Sequence, residues 1–122
     1  MSKIRKNDIR YNYRGRHIAH IKKVDRKAQK ATSVLLSSKE FNENRQNIPM
    51  HRTLPIGDVP YGYFMTRVRT YPISTYSTKK YKGVRMSLKD KRTSNKIYRD
   101  YLKRKKADEK SRLAKKRLKK AK

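Results

Sequence analysis

The chain has 122 residues, 37 of them Lys or Arg against 9 Asp or Glu, a formal charge of +28, and no cysteine. These totals exclude a disulfide framework, a thiolate zinc site and a thiol nucleophile, and no run approaches the ~18 apolar residues of a membrane-spanning helix. Leu, Ile, Val and Phe number only 22, and few such residues with a high net charge is the composition of chains that order on a partner and not on a core of their own.

The sign of the charge selects the partner: polyanions, nucleic acid first and acidic protein surfaces second, with no membrane partner expected. Residues 1–39 contribute +10, residues 40–78 contribute +1 and residues 79–122 contribute +17. A nearly neutral centre joins two basic arms.

Residues 1–16 show no hydrophobic period and read as a basic extended arm. Tyr11 and Tyr13 stand among Arg10, Arg14 and Arg16, a mixture that stacks on exposed bases while pairing with phosphates. The acid-poor, basic start resembles an organelle transit peptide, against which stand Asp8, the two tyrosines and the scarcity of Ser; without an apolar h-region no secretory signal is expected. Over 17–38, Ile18, Ile21, Val24, Ala28, Ala31 and Leu35 recur at three and four, which predicts a basic amphipathic helix with Lys22, Lys23, Arg26, Lys27 and Lys30 offered to phosphates. His17 and His20 stand at a metal-pair spacing but lack a third ligand nearby. They are expected, like His51, to be surface or phosphate-contacting, with no metal bound.

Residues 39–78 read as a protein-docking segment, within which 48–76 hold all four prolines and five aromatics. A strand is expected over about 63–71, with Phe64, Thr66, Val68 and Thr70 on one face and Tyr63, Met65, Arg67, Arg69 and Tyr71 on the other. Tyr61, Tyr63, Phe64, Val68 and Tyr71 would dock on a neighbouring protein, leaving Arg67 and Arg69 for RNA. Residues 79–94 read as a basic loop carrying Lys79, Lys80, Lys82, Arg85, Lys91 and Arg92, with Gly83 able to approach a phosphate. Residues 95–122 read as a basic helix or tail capped by Ser94 or Asn95. Ile97, Tyr98, Tyr101 and Leu102 would anchor it to protein, and Lys103, Arg104, Lys105, Lys106, Lys115, Lys116 and Arg117 would lie along an anionic surface. Asp100 with Arg104 and Asp108 with Arg112 have the spacing of helix ion pairs. A solvated tail or a nuclear localisation signal are the alternatives for this segment.

The fold class predicted is mostly α with extended segments and no independent globular core: two basic helices flanking a Pro/Tyr-rich extended centre with one short strand. No phosphate loop, nucleophile elbow or zinc signature is present, and the nine acids form no pair placed for acid/base work. An enzyme is therefore not expected, nor a cofactor, a small-molecule substrate or a homo-oligomer.

In layout the chain resembles ribosomal proteins as a class: short, lysine-rich, free of cysteine, with basic extensions about a small irregular middle. That resemblance implies a structural constituent of a ribosome, that of the mitochondrion ahead of cytoplasmic or nucleolar settings, bound to ribosomal RNA by its arms and to neighbouring ribosomal proteins by its centre. The alternatives are a basic staple of an acidic protein lattice, of the microtubule inner protein kind, and a ribosome-assembly or RNA-processing factor.

Overall fold

The structure, a computed structural model, describes residues 3–42, 45–56, 59–81 and 84–120, without the side chains of Asn42 and 117–120. Residues 17–37 alternate with the period of a strand. In β2 (His17–Asp25), Ile18 and His20 pack to one side and Ala19 and Ile21 to the other, all four buried. In β3 (Lys30–Ser37), Val34 and Leu36 share the first side, Ala31 and Leu35 the second. The helix expected over 17–38 is thus an antiparallel hairpin. Its turn is held by the Ala28 N–H donating to Asp25 Oδ1 (3.0 Å), with Gln29 at φ 56°.

The reason for the difference is burial on both faces. Apolar residues then occur at both parities, and Ile18, Ile21 and Val24 fall three apart by drawing on the two faces together, across a bulge between Ile21 and Lys23. The β-branched residues in this hairpin, Ile18, Ile21, Val24, Thr32 and Val34, favour the strand.

Before the hairpin lies β1 (Ile9–Asn12), and after it come β4 (Phe41–Asn42), β5 (Arg45–Gln46), β6 (Ile48–Ile56) and β7 (Val59–Pro72). The main sheet is antiparallel in the order β1-β2-β3-β7-β6, while β4 and β5 pair separately. The alternation read over 63–71 is that of β7, which pairs with β3 on one side and β6 on the other. Prolines fit where the ladder is irregular: the β6–β7 register shifts between Pro49 and Leu54, and Pro55 faces Pro60.

After β7 a 3₁₀ turn (Ile73–Thr75) carries the chain back to the outer edge of β1. Tyr13 N–H donates to Thr75 O (2.8 Å), Ser77 N–H to Tyr11 O (2.8 Å) and Tyr81 N–H to Ile9 O (3.0 Å), so that edge is covered. The remaining long element is α1 (Leu88–Lys120).

Both sheet faces carry a core. Ile9, Ile18, Val34, Leu36, Leu54, Ile56, Phe64 and Val68 meet Met86 and Ile97 beneath the start of α1. Across the sheet, Ala19, Ile21, Ala31, Leu35 and Met65 meet Ile4 and Tyr76. The expectations of a mostly α chain and of no independent core are both overturned by this sheet. The count of Leu, Ile, Val and Phe misled because the core also recruits Met65, Met86, Ala19, Ala31 and Tyr76. A buried ion pair adds to it: the Arg10 guanidinium, 2% exposed, meets Asp8 Oδ2 at 3.0 Å and donates to Ser77 O and Lys3 O.

Tyr76 ties the second core to the sheet. Its hydroxyl donates to Ala31 O (3.0 Å) and lies 3.0 Å from Ser33 Oγ, and burial pushes the phenol up to about 12. Tyr76→Phe keeps the ring and leaves those groups short of a partner, so a loss of about 1–2 kcal/mol is expected from urea unfolding. An unchanged midpoint would show that the hydroxyl contributes nothing net.

Candidate nucleic-acid interface

The interface is built on the placement of α1. Ser87 caps the helix: its Oγ accepts the Asp90 N–H (3.2 Å) and donates to Asp90 Oδ2 (3.0 Å). Asp90, buried, then accepts the His51 N–H (2.7 Å) and the Arg52 N–H (3.0 Å) where β6 leaves its ladder with β7. One turn on, Ser94 Oγ lies 2.6 Å from Nδ1 of His20, and Asn95 Oδ1 accepts from the Lys22 ammonium. Ile97 completes the docked face, with Tyr98 and Tyr101 half-buried against the same core. From residue 102 to 116 every side chain is exposed. The helix is about 50 Å long, and roughly its second half runs free of the sheet.

Where α1 leaves the sheet it forms a groove of about 430 Å³ with β7 and β5. Arg67 and Arg69 line it from β7, Arg45 from β5, and Tyr101, Arg104, Lys105 and Asp108 from α1. A neighbouring depression of about 500 Å³ shares Thr66 and Arg104 and adds Ile48, Ile97, Asp100 and Lys103. Among the described residues six cations and two carboxylates thus line the two depressions. Neither Asp100 with Arg104 nor Asp108 with Arg112 closes into the ion pair their spacing suggests; among the described residues that contact is made by Arg10 and Asp8. The field of Arg67 also reaches β2, where burial first and Arg67 second lower the pKa of His17.

The structure gathers most of the expected RNA-contacting residues into three areas. Arg67, Arg69, Lys103, Arg104, Lys105 and Lys106 flank the groove or follow it along α1, with Lys115 and Lys116 exposed further on. Lys23, Arg26, Lys27 and Lys30 form an exposed patch about the β2–β3 turn, where the Arg26 guanidinium reaches Ile4 O. Tyr11 packs half-buried on the core and meets Tyr13 edge-on at 5.1 Å, so only Tyr13, 65% exposed, offers its ring outward, next to exposed Arg14 and Arg16. Tyr81 belongs to the same corner, its phenol raised by burial and then by Tyr61, Tyr13 and Tyr11.

Lys79, Lys80, Arg85, Lys91 and Arg92 are exposed, whereas Lys22 is buried. Lys82, Gly83 and the side chain of Arg117 lie outside the described residues. On β2, His17 and His20 stand an odd number of residues apart and so point to opposite faces, which removes the pairing a helix would have given them.

Of the side chains expected to dock on a neighbour, Phe64, Val68 and Ile97 are buried in the chain's own core. Tyr61, Tyr98 and Tyr101 pack against that core and Tyr71 against the other, while Tyr63 is half-buried and Leu102 exposed. The sequence reading missed Arg45, Asp90 and the partners of His20 and Lys22. A signal existed for Asp90, since Ser87-x-x-Asp90 has the spacing of a capping box. Compared with known proteins, the chain matches no protein-family model, no curated protein and no solved structure.

Proposed function

We propose that this chain is an RNA-binding structural constituent of a ribonucleoprotein particle, the ribosome being the setting its composition favours. The compact sheet acts as a base, and the groove between β7 and α1, continued along the exposed half of the helix, takes RNA phosphates. The observation that carries this reading is the convergence of Arg45, Arg67, Arg69, Arg104 and Lys105 from three elements on one groove, where Asp108 is the carboxylate among the described lining residues.

Such an arrangement is stabilised by a polyanion that releases its counterions on binding. Arginine predominates there, and its planar fork suits bidentate phosphate contacts. The mode of binding is docking of a folded unit and not threading, because the core is the chain's own. The lattice-staple alternative loses its main support, since the Pro- and Tyr-rich run that would lie along protein clefts is largely strand β7, paired on both sides.

The test is binding of a labelled RNA across a salt series. Arg69→Gln with Arg104→Gln removes two exposed groove cations, and affinity is expected to fall about 10- to 50-fold while the log–log salt slope drops by roughly 1.5. Equal slopes for both proteins would remove the groove from the interface. Co-sedimentation with ribosomal particles, lost on nuclease treatment, tests the setting; sedimentation unaffected by nuclease would overturn it.

A further inference from the structure

On the opposite side of α1 from the groove lies a second concavity, of about 360 Å³, between the helix, β2 and the leading segment. Lys6, Lys22, Arg92 and Arg99 line it with Asn95 and Tyr98. Of these four cations Lys22 is buried and the other three are exposed, and none has a carboxylate within ion-pair distance among the described residues.

Lys22 is the unusual member. Only 3% of it is exposed, yet its ammonium is met by a neutral partner, the Asn95 side-chain oxygen. Burial, and then the charge of Lys6, lower its pKa to about 8. A buried ammonium without a counter-charge is costly and is retained where an anion completes the site. A phosphate supplies anionic acceptor oxygens, where Lys22 has only the neutral Asn95 oxygen among the described residues.

We infer that this pocket is a phosphate site that takes a phosphomonoester dianion, the terminal phosphate of the bound RNA strand. The choice of monoester follows from charge and shape. A dianion answers four cations better than the single charge of an internal diester, and a strand end enters a concave pocket without having to leave it again. Tyr98, stacked on Tyr101 at 6.5 Å, also lines the pocket and is an aromatic that the terminal nucleoside can meet. A small free phosphate shares this chemistry, and the experiment separates the two sources. The choice of RNA as source rests on the function proposed above, whereas the phosphate site does not.

The experiment uses the full chain and two probes. The first is a short RNA carrying either a 5′-phosphate or a 5′-hydroxyl. The second is inorganic phosphate, titrated by calorimetry at about pH 8.5 in two buffers of different ionisation enthalpy, where a bound anion raises the Lys22 pKa and draws in a proton. The 5′-phosphorylated RNA is expected to bind about tenfold more tightly. That ratio is expected to collapse to about one in Arg92→Gln with Arg99→Gln, both exposed positions that leave the Lys22–Asn95 contact in place.

Arg69→Gln with Arg104→Gln is expected to weaken both RNAs and preserve the ratio. Proton-linked phosphate uptake lost in the Arg92/Arg99 variant, with no preference between the RNAs, would support the phosphate site and overturn the RNA end as its source. No phosphate uptake by the wild type, or a 5′-phosphate preference unchanged in the Arg92/Arg99 variant, would overturn the pocket itself. If no RNA binds at all, the proposed function fails and the phosphate titration still decides the pocket.

Discussion

Acidification is expected to unfold this protein from the inside, with stability falling by up to about 1.4 kcal/mol per pH unit below about pH 6.5. The group responsible is His20. It is buried between β2 and α1 with Nδ1 against Ser94 Oγ, and burial first, then Lys22 and Lys91, lower its pKa from 6.5 to about 3. Between those values the unfolded chain binds a proton that the folded chain refuses, so stability rises with pH across the window and is lost as pH falls.

By about pH 4 the loss from this site is roughly 3 kcal/mol, a large part of the stability of a small domain. His17, whose pKa is also lowered, acts in the same direction. Urea midpoints measured from about pH 7.5 down to about pH 4 give the slope. His20→Gln keeps a neutral hydrogen-bonding side chain and removes the titration, so its slope should be much shallower. A wild-type midpoint that stays level, or a variant with the same slope, would show that the imidazole is not held neutral.

His20 and Lys22 also explain why the sheet was hard to see in the sequence. Both are polar residues on an inner face of β2, and they are tolerated there only because Ser94 and Asn95, more than 70 positions later, supply partners. Local pattern cannot anticipate a partner at that separation, so the alternation of 17–37 was masked and a three-to-four spacing took its place. Arg10 is a similar case, its charge offset by Asp8 and by carbonyls of Lys3 and Ser77.

The period of two in 63–71 was visible because Arg67 and Arg69 interrupt the apolar series on β7. The basic helix was visible from the propensity of its Lys-, Arg- and Glu-containing run, although it begins at Leu88, before the Ser94 or Asn95 cap expected. For the candidate site, the sequence names cations but not their convergence. Arg45, Arg67 and Arg104 share one groove only because β7 of the main sheet and β5 of the separate pair both come beside the helix.

That convergence depends on Asp90, and Asp90→Ala is expected to cost about 3–5 kcal/mol. The carboxylate accepts two backbone N–H groups, of His51 and Arg52, and the Ser87 hydroxyl, so truncation orphans several donors where β6 has no strand partner for them. Ser87→Ala removes the cap and one donor to the carboxylate but leaves the His51 and Arg52 N–H groups their acceptor, and should cost only about 1 kcal/mol. Faster amide exchange at His51 and Arg52 in the Asp90 variant would locate the damage; full protection there would show that the carboxylate is not what holds α1 to β6.

RNA binding then separates total charge from geometry. Removing one acid raises the formal charge of +28 by one, so an affinity set by net charge alone would increase. If affinity depends on Arg104 and Lys105 being held opposite Arg67 and Arg69, a helix loosened at its start should bind less tightly although every cation remains. A tighter complex would count against the groove as the seat of binding and return the interaction to the diffuse field of the chain.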